Sequence, residues 1–370
     1  MKILFAATVD NHILSHHLRI IHQLHESGHM VDVASRGDYT NADIHQKFNV
    51  CWSRNPLSPD NLKAFHQIRK ILRENQYDII SCHTPISSFF TRLAARRSMA
   101  KVIYTAHGFH FFKGAPFLNR TIYKTMERIG ARYTDVLVTI NEEDYRAAQT
   151  FHLKAGGQVV LIPGVGVDLK AVAAARTSRK SVRRELNLDA DDFVLMSMGD
   201  LNANKNHLFV MESLLAAFRE DSRLHYVVCG KGPLEPTYRK FIAEHGLEEQ
   251  IRLLGYRSDV LHLLYGMDVY LSPSLREGLP VSVMQAMAAG IPVVASRVRG
   301  NRDLIVHEKN GLLYPVKDRA ALVQAIERLR NDADQTARLI GQARADVRKY
   351  SADTVDPMLL SLYAHFRKTL

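Results

Sequence analysis

Two periodicities alternate along this chain. Residues 3–9 form a continuous apolar run of strand length. Residues 13–26 then carry apolar side chains at Leu14, Leu18, Ile21 and Leu24, a helical stripe, and Gly28 stops it. A second strand follows at 30–34. The exchange continues with a helix at 61–75, a strand at 77–83, a helix at 87–98, a strand at 101–106, a helix at 117–133 and a strand at 136–140. Strict alternation of strand and helix predicts a doubly wound parallel sheet.

The pattern then restarts. Residues 161–168 hold Pro163, Gly164 and Gly166 and read as a hinge. Residues 176–188 are basic, and either linker or helix. A new series runs as strand 193–199, helix 208–218, strand 225–229, helix 236–245 and strand 251–254. A βαβ unit comes next. Its strand is 268–272, and its helix opens at Pro280, whose fixed φ and missing N–H suit a first helical position. Gly290 and Pro292 end that helix, and 291–295 is the next strand. A helix at 320–332 and a helical tail at 354–368 complete the chain. The expected fold is α/β, with two Rossmann-like doubly wound domains facing across a cleft. The first spans 1–165 and the second 166–350, with 351–370 packing back on the first.

A chain of 370 residues, 46% hydrophobic and 24% charged, has the composition of a globular protein. No apolar run approaches the roughly 20 residues that span a bilayer. The short apolar N-terminus reads as a strand and not as a signal peptide. Cys51, Cys82 and Cys229 have no metal or redox spacing, which suits buried thiols in a reducing cytosol. The net charge is +11, and residues 1–165 supply +7 of it, with 20 Lys and Arg against 13 Asp and Glu. Such a basic half suits phosphorylated ligands or an anionic membrane surface. No nucleic-acid module is visible.

Candidate chemistry gathers where predicted strands end, because open α/β sheets bind ligands there. Glu277-Gly278 lies in the turn of the βαβ unit, beside a helix start whose free N–H groups attract anions. Gln285 lies eight residues on, about two helical turns, and is expected at a similar azimuth. Lys205 lies where a loop turns into a helix. Gly230 and Gly232 follow a buried strand and permit close backbone approach. In the first half, His107, Gly108, His110 and Lys113 follow a strand end. Arg92, Arg96 and Arg97 accompany Phe89 and Phe90 on one helix, and Arg120, Lys124 and Arg128 recur every four residues on the next, a pairing that suits an anionic membrane. Two Asp-x-Asp patterns, at 189–192 and 332–334, sit before a strand and after a helix, and neither reads as a metal site.

The run from Ser274 to Ser296 (SLREGLPVSVMQAMAAGIPVVAS), Gly300, and Asn310-Gly-Leu-Leu313 resemble retaining glycosyltransferases of the GT-B fold, family 4. Residues 105–116 (TAHGFHFFKGAP) and 199–206 (GDLNANKN) are similar to the subgroup acting on undecaprenyl-diphosphate sugars. The resemblance covers nearly the whole chain. It implies transfer from a nucleotide-sugar, a UDP-sugar such as UDP-HexNAc or a UDP-hexose, to a lipid-linked saccharide in surface polysaccharide biosynthesis. It also implies no metal and no cofactor, and an enzyme peripheral on the cytoplasmic face of the membrane. Glu277, with the N–H groups of Gly278 and Leu279, would hold the donor sugar, and Lys205 the diphosphate. Gly230 and Gly232 would admit the nucleotide, and Tyr256 and Arg257 would lie near its base. His107 would contact the sugar near its anomeric centre. Two positions depart from the family. Gln285 replaces a second glutamate expected on the ribose, and Asp200 replaces a frequent arginine. They leave open an inactive nucleotide-sugar-binding homologue, beside a GT-B epimerase or phosphorylase.

Overall fold

The computed structural model describes residues 1–111 and 117–367. The chain divides into two units, Met1–Val165 with the segment from Asp353, and Gly166–Ala352. The first holds a seven-stranded sheet of β1 (Lys2–Val9), β2 (Met30–Arg36), β3 (Gln46–Asn49), β4 (Ile79–His83), β5 (Lys101–Ala106), β6 (Val136–Thr139) and β7 (Gln158–Leu161). The order is β3-β2-β1-β4-β5-β6-β7, and every pairing is parallel. The second holds β8 (Phe193–Met198), β9 (Leu224–Cys229), β10 (Ile251–Gly255), β11 (Val269–Ser272), β12 (Val293–Ser296) and β13 (Leu312–Tyr314), in the order β10-β9-β8-β11-β12-β13, again all parallel.

Parallel strands are covered on both faces, which is why they read as continuous apolar runs. In β1, Ile3, Phe5 and Ala7 face one cluster and Leu4 the other, the period-2 rule of a strand. The first cluster is closed by the helix Leu18–Glu26 and by Val355, Leu362, Tyr363 and Phe366 of the helix Ala352–Arg367. Arg19 bonds Asp356 at 2.6 Å and Ser81 bonds Tyr363 at 2.8 Å, so polar contacts also tie that last helix to this unit.

The expected helix at 13–26 is two helices, Asp10–His16 and Leu18–Glu26, broken at His17 (φ −126°, ψ −14°). The His17 ring is buried, so the bend carries a polar side chain inward. The helix of the βαβ unit begins at Val281, with extended Pro280 as its cap, and ends at left-handed Gly290 (φ 79°). Glu277 is therefore in a loop. Its helical azimuth shared with Gln285 does not exist, and only Gln285, half-buried, lies on the helix. The two Asp-x-Asp patterns do local work. Asp192 accepts from the N–H of Asp189, and Asp332 caps the helix Ala333–Asp346. Burial pushes the thiols of Cys82 and Cys229 up to about 12. No helix among the described residues is long and apolar enough to cross a membrane.

Candidate active site

In each sheet the strand order reverses at one place, and there the loops leaving the carboxyl ends diverge and open a crevice. In the second unit that place lies between β8 and β11. The loop after β8 carries Lys205, and the loop after β11 carries Glu277. They meet: Lys205 Nζ lies 2.7 Å from Glu277 Oε1.

The meeting is enforced by the backbone. Leu275 N–H donates to the Asn204 carbonyl at 2.8 Å, and Asn204 Nδ2 donates to the Arg276 carbonyl at 3.0 Å. Asn206, left-handed at φ 58°, reaches the Pro273 carbonyl at 3.3 Å. The two loops are thus stitched on either side of the ion pair. Arg299, buried after β12, donates from Nε to the Glu277 carbonyl at 3.2 Å. Gly300 (φ 76°) packs on the same loop, and a Cβ there would stand 2.6 Å from the Gly278 carbonyl oxygen. Arg299 lies in no motif visible in the sequence, and the run at 199–206 that holds Asn204 and Asn206 does not reveal which carbonyls they reach.

The neighbouring strand ends are equally close. A Cβ on Gly230 would overlap the Gly199 carbonyl oxygen, and one on Gly232 would overlap that of Leu201. Both glycines thus serve loop-to-loop packing, whatever else approaches them. Tyr256, after β10, is 74% exposed and presents an open ring. Arg257 is committed to Glu185 at 2.6 Å and to both oxygens of Asp259, and these bonds raise its pKa further. Leu279 is buried, and Gly278 is half-buried. Asp200 is exposed. His207, at the start of the helix after Lys205, is buried and bonded to Tyr226 Oη at 3.2 Å. Burial, with the nearby Lys205 charge, lowers its pKa to about 3.

The first unit reverses between β1 and β4, and its strand ends hold imidazoles. His12 and His17 follow β1, His83 ends β4, and His107 follows β5. One nitrogen from each lies within 4.8 Å of the others. His17 and His83 rings approach to 3.8 Å between centroids, and His12 and His107 to 4.6 Å. His16 lies beside them, 4.8 Å from the His12 ring, and its Nδ1 is also buried without a hydrogen-bond partner. Burial and neighbouring imidazoles drive all four rings toward the neutral form, with His12 down to about 3. Among the described residues, His83 Nδ1 and His107 Nε2 are buried without a hydrogen-bond partner. An unmet buried polar atom costs roughly 1–3 kcal/mol. His110 packs on the Tyr123 ring at 4.7 Å. Lys113 lies outside the described residues.

Arg92 corrects the expected basic face. Its side chain is wholly buried and bonds Glu127 at 2.8 Å under the Tyr104 ring, so it cannot meet a membrane. Phe89 and Phe90 marked an apolar flank, but Arg92 is drawn inward by Glu127 and Tyr104. Arg96, Arg120 and Arg128 are exposed, and Lys124 is half-buried. Arg69, Lys70, Arg73 and Arg97 line an open groove on the same unit.

Two family models cover most of the chain: Glycosyl transferase 4-like matches residues 2–141, and Glycosyl transferases group 1 matches 178–346. The putative glycosyltransferase EpsD of Bacillus subtilis is 35% identical over 96% of this chain and 95% of its own length. The chain belongs to the glycosyltransferases of the GT-B fold. A UDP-Gal:alpha-D-GlcNAc-diphosphoundecaprenol alpha-1,3-galactosyltransferase of Escherichia coli is 28% identical over 80% of this chain and 77% of its own. In fold, this glycosyltransferase is similar to HepE of Anabaena, solved in complex with UDP and glucose, with a TM-score of 0.79 and 20% identity over 98% of this chain and 99% of that one.

Proposed function

We propose that this glycosyltransferase moves a sugar from a UDP-sugar to a hydroxyl of a lipid-linked saccharide, with retained anomeric configuration, in surface polysaccharide biosynthesis. The observation that carries the reading is the Lys205–Glu277 pair at the switch point of the second sheet. The ammonium and the carboxylate satisfy each other. A bound donor would exchange that bond for two. Sugar hydroxyls would donate to Glu277, and the diphosphate would accept from Lys205 and from the first turn of the helix Val281–Ala289. Negative charge develops on the leaving diphosphate, so these preorganised donors act where the transition state needs them, and no divalent ion is required there. Gly230, Gly232 and the exposed Tyr256 ring would receive the nucleotide, and His107 the sugar.

The acceptor reading draws on the Escherichia coli relative, named for a diphosphoundecaprenol substrate, and on the exposed basic side chains of the first unit. Lipid-linked acceptors are presented at a membrane, and each Lys or Arg near an anionic surface contributes about 1 kcal/mol. The protein would work peripherally on the cytoplasmic face. Reversing Arg120, Lys124 and Arg128 to Glu is expected to abolish co-sedimentation with phosphatidylglycerol vesicles, and unchanged binding would remove the membrane part of the reading. The activity itself is tested by UDP release from UDP-sugars with an undecaprenyl-diphosphate saccharide as acceptor. No release with any UDP-hexose or UDP-HexNAc would overturn it.

A further inference from the structure

The geometry points to a zinc-class metal site in the first unit, held by His12, His17, His83 and His107. The inference shares His107 with the donor reading; His12, His17 and His83 have no part in that reading.

Four imidazoles from three strand ends converge so that one nitrogen of each lies within 4.8 Å of the rest. Zinc binds imidazole at 2.0–2.1 Å in tetrahedral sites, which sets two ligand nitrogens about 3.4 Å apart. His12 Nε2 and His17 Nε2 stand 3.4 Å apart, in a mutual hydrogen bond that the ion would replace. The other two rings turn an unpartnered nitrogen to the protein interior: Nδ1 of His83 and Nε2 of His107. Buried polar atoms are usually hydrogen-bonded, so these two are open to a partner that the protein does not supply. A neutral imidazole offers a lone pair at one nitrogen, the form that ligates metal.

The surroundings fit as well. Ligating histidines commonly donate their second N–H to a fixed acceptor, which sets the tautomer and the ring orientation. His83 Nε2 lies 3.0 Å from Ser81 Oγ, and Ser81 is itself bonded to Tyr363 Oη at 2.8 Å. That contact engages Nε2 and leaves Nδ1 as the nitrogen His83 would offer the ion. His107 would ligate through Nε2, which leaves Nδ1 for the sugar contact proposed above. The ion would tie the bend at His17 to the ends of β4 and β5. It would also place positive charge at the switch point of the first sheet. Imidazole-only ligation favours zinc, copper, nickel or iron over magnesium and calcium, which take oxygen ligands.

The spacing hid this site. The sequence separations between His12, His17, His83 and His107 match no short metal motif, and only the strand order β1-β4-β5 brings them together.

The test uses the full chain, stripped with chelator and titrated with zinc chloride by calorimetry. One equivalent is expected to bind, and cobalt(II) should give the visible bands of a tetrahedral nitrogen site. His12→Gln and His83→Gln should each weaken binding by more than about 100-fold, and Ser81→Ala by about 10–100-fold with the stoichiometry kept. Uptake well below one equivalent, or variants that bind like the parent, would overturn the assignment. Should a variant fail to fold, anomalous scattering from zinc-soaked crystals of the parent decides: a peak among the four rings supports the site, and a peak elsewhere or none refutes it.

Discussion

Two ion pairs of almost equal length do opposite work. Arg92–Glu127 closes at 2.8 Å and Lys205–Glu277 at 2.7 Å. The Arg92 and Glu127 side chains are 0% and 4% exposed, whereas those of Lys205 and Glu277 are 23% and 11% exposed. Arg92 also donates to the Ser88 carbonyl and lies 3.9 Å over the Tyr104 ring, and Tyr104 Oη bonds the other oxygen of Glu127. This pair is sealed inside one wall of the first unit. The Lys205 pair stands where two loops leave a sheet, and both side chains keep part of their surface open to solvent. A sealed pair contributes order, whereas an open pair can exchange partners with a ligand.

The strongest way to break the comparison is to remove one member of each pair. Arg92→Ala leaves Glu127 buried and unpaired, and should cost about 3–5 kcal/mol in urea unfolding. Removing Lys205 should cost stability only about 0–1 kcal/mol, since a partly exposed pair is screened by water. If Lys205→Ala destabilised as much as Arg92→Ala, the distinction would fail. The order reverses for activity. Lys205→Ala and Glu277→Ala should each lower kcat by roughly 10²–10³-fold, measured as UDP release. Near-normal turnover in either would remove that residue from catalysis.

Acidification gives an intermediate effect. His207, beside Lys205, has its folded pKa lowered to about 3 from an ordinary 6.5. The unfolded chain therefore binds this proton first as pH falls. The stability of the second unit should decline from about pH 6.5 toward pH 3, by up to about 1.4 kcal/mol per pH unit from this group. Hydrogen exchange in β8 and β9 at pH 7 and pH 5 would read it, and equal protection at both would contradict the buried neutral ring. The smallest effect is expected from Gln285→Glu. A charged acceptor bonds ribose hydroxyls more strongly than an amide, so donor affinity should rise by about 1 kcal/mol, some fivefold, in a UDP titration.

Much of this was legible because it is local. Apolar runs and stripes marked most strands and most of the longer helices, but not β3, β7, β13 or the helices Glu142–Ala148 and Ala333–Asp346; Gly290 ended its helix at the residue read from sequence. Glu277 and Lys205 could be singled out because each follows a strand. Their contact could not, since it depends on Asn204 and Asn206 joining two loops some seventy residues apart. Arg92 misled for a related reason: a helical pattern reports which face is apolar, but not that a tyrosine and a glutamate wait under one arginine. Arg299 carried no signal at all. Its target is a backbone carbonyl, which every residue possesses.

The sequence by itself determined the two alternating series, the break between them near residue 165, and the strand ends at which chemistry could collect. Those follow from hydrophobic periodicity and from the dihedral limits of glycine and proline, which act over a few residues. Only the tertiary structure decided which charges were sealed and which stood open, and that four dispersed histidines share one space. Burial and convergence depend on strand order, and strand order is set by packing between segments far apart in the chain.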